Sequence, residues 1–214
     1  MKVELEEVLP GEIEKRSFEI ITRELGDRIL DEEKAPLIKR VIHTSADFEY
    51  ADTLCFSDDV IAKALKAIRS GASIVTDTQM GRAGINKRSL AKYGGQVYCF
   101  MSDEDIAAEA KKNGTTRAVA SIDKAAAMDQ PLIFAIGNAP TALIRIYELV
   151  KEGKLSPALV IGVPVGFVNV VQSKELIMET EVPYIVARGR KGGSNVAAAI
   201  CNALLYMIDE KRGN

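Results

Sequence analysis

The sequence is short of reactive side chains. It has one histidine, His43, and three cysteines in 214 residues. Cys55, Cys99 and Cys201 are odd in number, far apart and without a C-x-x-C pair, so neither a disulfide framework nor a zinc or redox motif is expected. Free thiols fit a reducing compartment. With no further histidine to act as ligand, a dedicated metal site is not expected either. Blocks of one charge are also missing. The 28 basic and 30 acidic residues are mixed along the chain with a formal charge of −2, which argues against a nucleic-acid footprint. No apolar run is long enough to cross a bilayer, and acids alternate with apolar residues at the N-terminus, unlike a signal peptide. The expectation is a soluble cytoplasmic protein with no nucleic-acid or membrane partner.

Catalytic signatures are scarce too. Gly189-x-x-Gly192-Gly193 has the wrong spacing for a dinucleotide fingerprint and follows the last predicted strand rather than the first. No G-x-x-x-x-G-K-[ST] loop and no G-x-S-x-G elbow occur.

What is present is a rhythm. The length suits a single α/β domain, 1–214, with ample core. Residues 1–11 read as an extended lead-in, and Phe18, Ile21, Leu25 and Ile29 mark an amphipathic helix over 12–28. Pro36 interrupts, and residues 37–42 lead into His43-Thr44-Ser45-Ala46-Asp47, read as extended. Residues 52–56 are a short segment that could be extended. Ser57-Asp58-Asp59 starts a helix expected to stop at Gly71. Apolar, β-branched runs then lie at 73–76, 96–101, 132–136, 158–163 and 184–187. Helical patterns separate them: one after Ser102-Asp103-Glu104-Asp105 that breaks near Gly114, then 116–128, one through Leu143, Ile146, Tyr147 and Val150, 174–180, and a last one through Val196, Ile200, Leu204 and Ile208. Strands without a wet face, alternating with helices, predict a three-layer α/β/α fold. Its sheet is doubly wound and mostly parallel, with a helical N-terminal extension.

Ligands of such sheets bind outside the carboxyl ends of the strands. The loops there are rich in glycine: Asp77-Thr78-Gln79-Met80-Gly81-Arg82-Ala83-Gly84, Gly137-Asn138-Ala139-Pro140-Thr141, Gly162-Val163-Pro164-Val165-Gly166-Phe167-Val168 and Arg188-Gly189-Arg190-Lys191-Gly192-Gly193-Ser194. Each alone is explained by a turn and a helix cap. Together they suggest backbone amides close to an anion, with Arg188, Arg190 and Lys191 beside them. His43 is the candidate acid, because imidazole alone titrates near neutrality without help. On spacing alone, a structural histidine is the commoner case.

Several of these segments, taken together, resemble the precorrin-8X methylmutase (cobalt-precorrin-8 methylmutase) family of corrin-ring biosynthesis. They are Arg40-Val41-Ile42-His43-Thr44-Ser45-Ala46-Asp47, Asp77-Thr78-Gln79-Met80 with Gly84-Ile85, Thr116-Arg117-Ala118, Ile136-Gly137-Asn138-Ala139-Pro140-Thr141-Ala142, the Gly162–Val168 stretch and Gly189-Arg190-Lys191-Gly192-Gly193-Ser194. Glu12-Ile13-Glu14 with Ser17-Phe18 is similar to the family's N-terminal helix. The chain departs from the family at Ala46, where Gly is common. The resemblance implies a flavodoxin-like homodimer without a cofactor that moves the C-11 methyl group of a tetrapyrrole to C-12. It makes His43 the proton donor to the macrocycle. A flat apolar ring fringed by carboxylates calls for an apolar floor, with Met80, Phe167 and Val168 as candidates. It also calls for a polar rim: Arg117, Arg190 and Lys191, with Thr44, Ser45, Thr78, Gly137, Asn138, Gly166, Gly192 and Ser194, and with Ser173 and Lys174 as lesser additions. The alternatives are a non-catalytic corrinoid carrier, a flavodoxin-like protein holding a phosphorylated ligand at the Arg190 loop, and a hydrolase pairing His43 with Ser45 or Asp47. The sequence leaves open whether the substrate ring carries cobalt.

Overall fold

The computed structural model describes residues 5–209. Of the lead-in expected over 1–11, residues 1–4 lie outside the described residues, and 5–9 have no regular structure. Two helices, α1 (Ile13–Leu25) and α2 (Ala35–Ser45), come first, followed by the short α3 (Tyr50–Thr53), β1 (Leu54–Phe56) and α4 (Val60–Arg69). The alternating part then runs β2 (Ser73–Thr76), α5 (Gln79–Gly84), α6 (Lys87–Ala91), β3 (Val97–Tyr98), α7 (Glu104–Lys112), α8 (Arg117–Ala126), β4 (Leu132–Ile136), α9 (Pro140–Lys151), β5 (Leu159–Gly162), α10 (Val170–Met178), β6 (Tyr184–Ala187) and α11 (Ser194–Ile208).

The sheet order is β1-β6-β5-β4-β2-β3. β2 to β6 are mutually parallel, and β1 is added antiparallel along β6. Among the parallel strands the chain starts at β2, steps outward to β3, and then crosses back to β4. Strand direction of travel therefore reverses between β2 and β4. That is the flavodoxin-like arrangement, with its crevice at the carboxyl ends of those two strands.

Alternation along the strands divides the core. Ile133, Ala135, Leu159 and Ile161 face α1, α2, α4 and α11. Leu132, Phe134, Ile136 and Val160 face α7 to α10. Both faces are covered, so the strands can be apolar throughout.

Some expectations needed correction. The histidine segment is helical, not extended. Pro36 sits in the first turn of α2, where its missing N–H breaks no intrahelical bond, so the proline starts this helix instead of interrupting it. The α2 helix ends at Ala46, whose left-handed φ of 53° lets its N–H reach the Ile42 carbonyl at 2.7 Å. A left-handed residue at this point is where glycine is easiest, so Ala46 holds a conformation that glycine would adopt more freely. Ile29 is not on the buried face of α1. That helix stops at Gly26 (φ +59°), leaving Ile29 98% exposed. The strand expected over 96–101 shrinks to two residues. Its pairing with β2 stops at Val75 and Tyr98, where the Thr76 hydroxyl donates to the Tyr98 carbonyl at 3.2 Å. The helix expected over 174–180 begins four residues earlier, at Val170, after Asn169 turns the chain with φ 57°.

Cys201 lies within α11 and is fully buried, which pushes its thiol up to about 12. The unfolded thiol ionises near 8.5, so between these values the unfolded chain holds fewer protons and stability falls as pH rises. Between pH 8 and pH 10 the parent should lose about 2 kcal/mol relative to Cys201→Ala in urea denaturation. Parallel curves would show that the thiol is not sealed from water.

Candidate functional site

At the reversal point the chain supplies its own anion. Asp77 follows β2, is buried, and accepts backbone N–H bonds from Gly137 (2.9 Å), Asn138 (2.7 Å) and Ala139 (2.6 Å), the residues that lead into α9. Burial raises its carboxyl above the usual carboxylate range, and the three donors pull it back. These are the amides that would otherwise meet a ligand's phosphate or carboxylate. The Gly137 and Asn138 N–H groups, expected to serve a substrate, are thus engaged by Asp77. Gly137 is there for contact. A Cβ at this position would lie 2.7 Å from the Ser194 backbone, so the start of α11 runs directly against it. Only the exposed Asn138 side chain remains available.

The other glycines serve the same kind of close approach. A Cβ on Gly192 would lie 2.0 Å from the Val163 carbonyl, and the next residue, Gly193, donates its N–H to that oxygen at 2.8 Å. The Gly166 N–H donates to the Arg190 carbonyl at 3.1 Å, joining the loops after β5 and β6. Thr78 caps α5 by accepting the Gly81 N–H at 2.9 Å and shares a hydrogen bond with the Ser194 hydroxyl at 2.7 Å. Glycine and hydroxyl thus lock four loops together.

Ser173 and Lys174, expected as lesser additions to the rim, lie inside the fold. Both are 0% exposed. The Ser173 hydroxyl donates to the Val170 carbonyl at 2.9 Å, and the Lys174 ammonium donates to the carbonyls of Gly189 (2.7 Å) and Lys191 (2.9 Å). Burial pulls this lysine down to about 8. Neither side chain can reach a ligand at the surface.

What does face outward is apolar and basic. Met80 is 71% exposed, Phe167 81% and Val168 79%. The Arg190 guanidinium lies 5.5 Å over the Phe167 ring. Arg117, exposed at the first position of α8, is carried near the start of α9 by a Thr116–Thr141 hydrogen bond of 3.1 Å. Lys191 is less free than expected: its ammonium binds Asp47 and Glu49, both at 2.6 Å. That pairing raises the Lys191 pKa and holds the Asp47 carboxyl below its ordinary range.

The same pairing ties the turn after α2 to this edge, four residues from His43. His43 is exposed on the last turn of α2, with its ring 5.5 Å from Phe18 and tilted by 39°. Thr44 is exposed beside it. Ser45 is engaged within the helix, donating to the Val41 carbonyl at 2.7 Å, so neither Ser45 nor Asp47 is placed to serve the imidazole as in a hydrolase.

A concavity of about 870 Å³ lies away from the glycine-bearing edge. It lies between α1, α2 and α11, with walls that include Phe18, Pro36, Arg40, Ala203, Tyr206 and Met207. The Arg40 guanidinium sits 4.8 Å from the Phe18 ring and 5.1 Å from the Tyr206 ring, and donates to Glu14 at 2.9 Å. An extended run over 43–47 would not have revealed this neighbourhood. At helical spacing, Arg40 and His43 fall on one face.

Residues 12–207 match the family described as Precorrin-8X methylmutase. The chain belongs to the precorrin-8X methylmutase family. It is similar to the Cobalt-precorrin-8 methylmutase of Priestia megaterium, 48% identical over 94% of this chain and 90% of that protein. To the Cobalt-precorrin-8 methylmutase of Leptospira interrogans it is 43% identical over 94% of each. A crystal structure of the Thermus thermophilus precorrin-8X methylmutase superposes with a TM-score of 0.85 at 37% identity, covering 94% of this chain and 98% of that one. Membership in the precorrin-8X methylmutase family agrees with the strand order, and the resemblance seen in the loop sequences is borne out.

Asp77→Ala should lower the free energy of unfolding by on the order of 3 kcal/mol, because buried amides lose their acceptor. Urea denaturation measures it. A loss below about 1 kcal/mol would mean that water replaces the carboxylate and the clamp is dispensable.

Proposed function

We propose that this chain is an isomerase that moves the C-11 methyl group of precorrin-8X, or of its cobalt form, to C-12, giving hydrogenobyrinate or cobyrinate. The observation that carries the reading is the family match across 12–207, joined to an exposed imidazole packed against Phe18 and to a separate exposed edge where Arg190 lies over Phe167. The reaction breaks one carbon–carbon bond and forms another within the same molecule. It needs neither water nor a nucleotide, in keeping with the motifs that the sequence lacks.

In this reading His43 donates a proton to the macrocycle, drawing electron density toward the protonated position while the methyl group migrates, and recovers the proton afterwards. Phe18 supports the ring face of the imidazole. Met80, Phe167 and Val168 offer an apolar surface to the flat ring, and Arg117 and Arg190 meet its carboxylates. Lys191, already paired with two carboxylates, is a lesser member of that rim. The reading includes a homodimer, as the resemblance implies. The domain is one unit, and its proposed location is the cytoplasm. Among the described residues no helix is long and apolar enough to cross a membrane.

The phosphorylated-ligand alternative is weakened by Asp77, whose carboxylate occupies the amide cluster that a phosphate would use. The carrier alternative is separated by turnover. Both macrocycle forms should be assayed, since cobalt would already occupy the ring nitrogens. An isomerase shifts the absorbance spectrum with no change in mass, whereas a carrier changes neither the bound ring nor its mass.

His43→Ala should reduce turnover by about 10²–10⁴-fold, the usual contribution of a positioned acid, with macrocycle affinity largely kept. A variant turning over at the parent rate would refute the acid assignment. Arg117→Ala and Arg190→Ala should each weaken macrocycle binding by about 10-fold or more through loss of a charge-assisted hydrogen bond. Fluorescence or absorbance titration giving the parent Kd for both would remove them from the rim.

A further inference from the structure

Lys174 raises a physical question that its place in the sequence did not. It is completely buried, and among the described residues no carboxylate lies within ion-pair distance of its ammonium. Burying a charge without a counter-ion is unfavourable, and leucine or methionine would fill the same volume without that penalty. The two bonds it makes give the reason. Its acceptors, the carbonyls of Gly189 and Lys191, flank Arg190 on both sides.

Other ties reach this stretch, the Gly166 N–H on the Arg190 carbonyl and the Lys191 ammonium on Asp47 and Glu49, but Lys174 is the group that holds the carbonyls on both sides of Arg190. Gly189 has φ +84° and Gly192 φ +159°, conformations that glycine reaches freely and that leave the free loop many alternatives. A single cationic group holding two carbonyls, one before and one after Arg190, fixes the peptide planes on each side of it. With those planes fixed, the Arg190 carbonyl accepts the Gly166 N–H at 3.1 Å and its guanidinium lies 5.5 Å over Phe167. The clamp therefore sets both the cation and the aromatic ring at this edge.

We infer that Lys174 is a positioning residue: it does not touch the macrocycle, but holds the Gly189–Lys191 carbonyls so that Arg190 and Phe167 meet the ring and its carboxylate fringe. This rests on the functional reading above and assigns Lys174 a role through Arg190.

The test is a double-mutant cycle in steady-state kinetics with the macrocycle, using the full chain and the variants Lys174→Met, Arg190→Ala and the pair. Lys174→Met should raise KM about 10-fold and leave kcat within about threefold, since the acid is untouched. The pair should be no worse than Arg190→Ala alone by more than about threefold, because both changes remove the same contact. Lys174→Gln runs the same cycle if Lys174→Met does not fold. Fully additive effects, or a KM within about twofold of the parent, would overturn the inference. So would loss of folding in both Lys174 variants, which would assign the side chain to the core. A parent that isomerises the ring while Lys174→Met is unaffected overturns this inference alone. A parent that neither binds nor isomerises the ring overturns the functional reading and this inference with it.

Discussion

The carboxylate of Asp77 sits where a flavodoxin-like sheet ordinarily receives the anionic part of its ligand. Three consecutive amides converge on it, and they belong to the loop that feeds α9. One buried side chain therefore joins the ends of β2 and β4 and fills the crevice between them. The consequence is chemical as well as structural. With its own carboxylate in place, the 137–139 amides at the reversal point are already engaged. In the proposed reading, recognition therefore falls to side chains: Met80 and Phe167, the Asn138 amide, and the guanidinium groups of Arg117 and Arg190.

A second buried charge, of opposite sign, does comparable work on the far side of the edge. Lys174 holds the loop after β6 by its carbonyls, as Asp77 holds the loop after β4 by its amides. Between them Gly137 and Gly192 let backbone pass against backbone at distances that a Cβ would forbid. The Thr78–Ser194 bond closes the arrangement. A scaffold cross-linked in this way fixes the geometry of its loops before any ligand arrives, which lowers the ordering cost of binding.

Much of the architecture was legible. Apolar β-branched runs with no wet face identified the parallel strands, since only a sheet covered on both sides tolerates them. Gly71 and Gly114 were read correctly as helix ends because left-handed backbone favours glycine. The segment around His43 was misread. Its apolar pair Val41-Ile42 and its β-branched Thr44 have no strong helical preference. The helix there is decided by Leu37, Ile38, Val41 and Ile42 packing against α11, a contact remote in sequence. The glycine loops were correctly located at the carboxyl edge but wrongly explained, because a glycine that admits a ligand and one that admits another backbone look the same in one dimension.

The sequence by itself determined the family, the alternation of parallel strands with helices after residue 73, and the presence of a single imidazole in a chain with basic and apolar loop residues. All of these are local patterns of residue type. Only the tertiary structure decided which polar groups are still open to a ligand. Asp77 and the 137–139 amides are 60 or more residues apart, Thr78 and Ser194 are 116 apart, and Lys191 and Asp47 are 144 apart. Whether a donor or a charge is satisfied depends on partners brought together by folding, and nothing in the neighbourhood of either residue along the chain records that meeting.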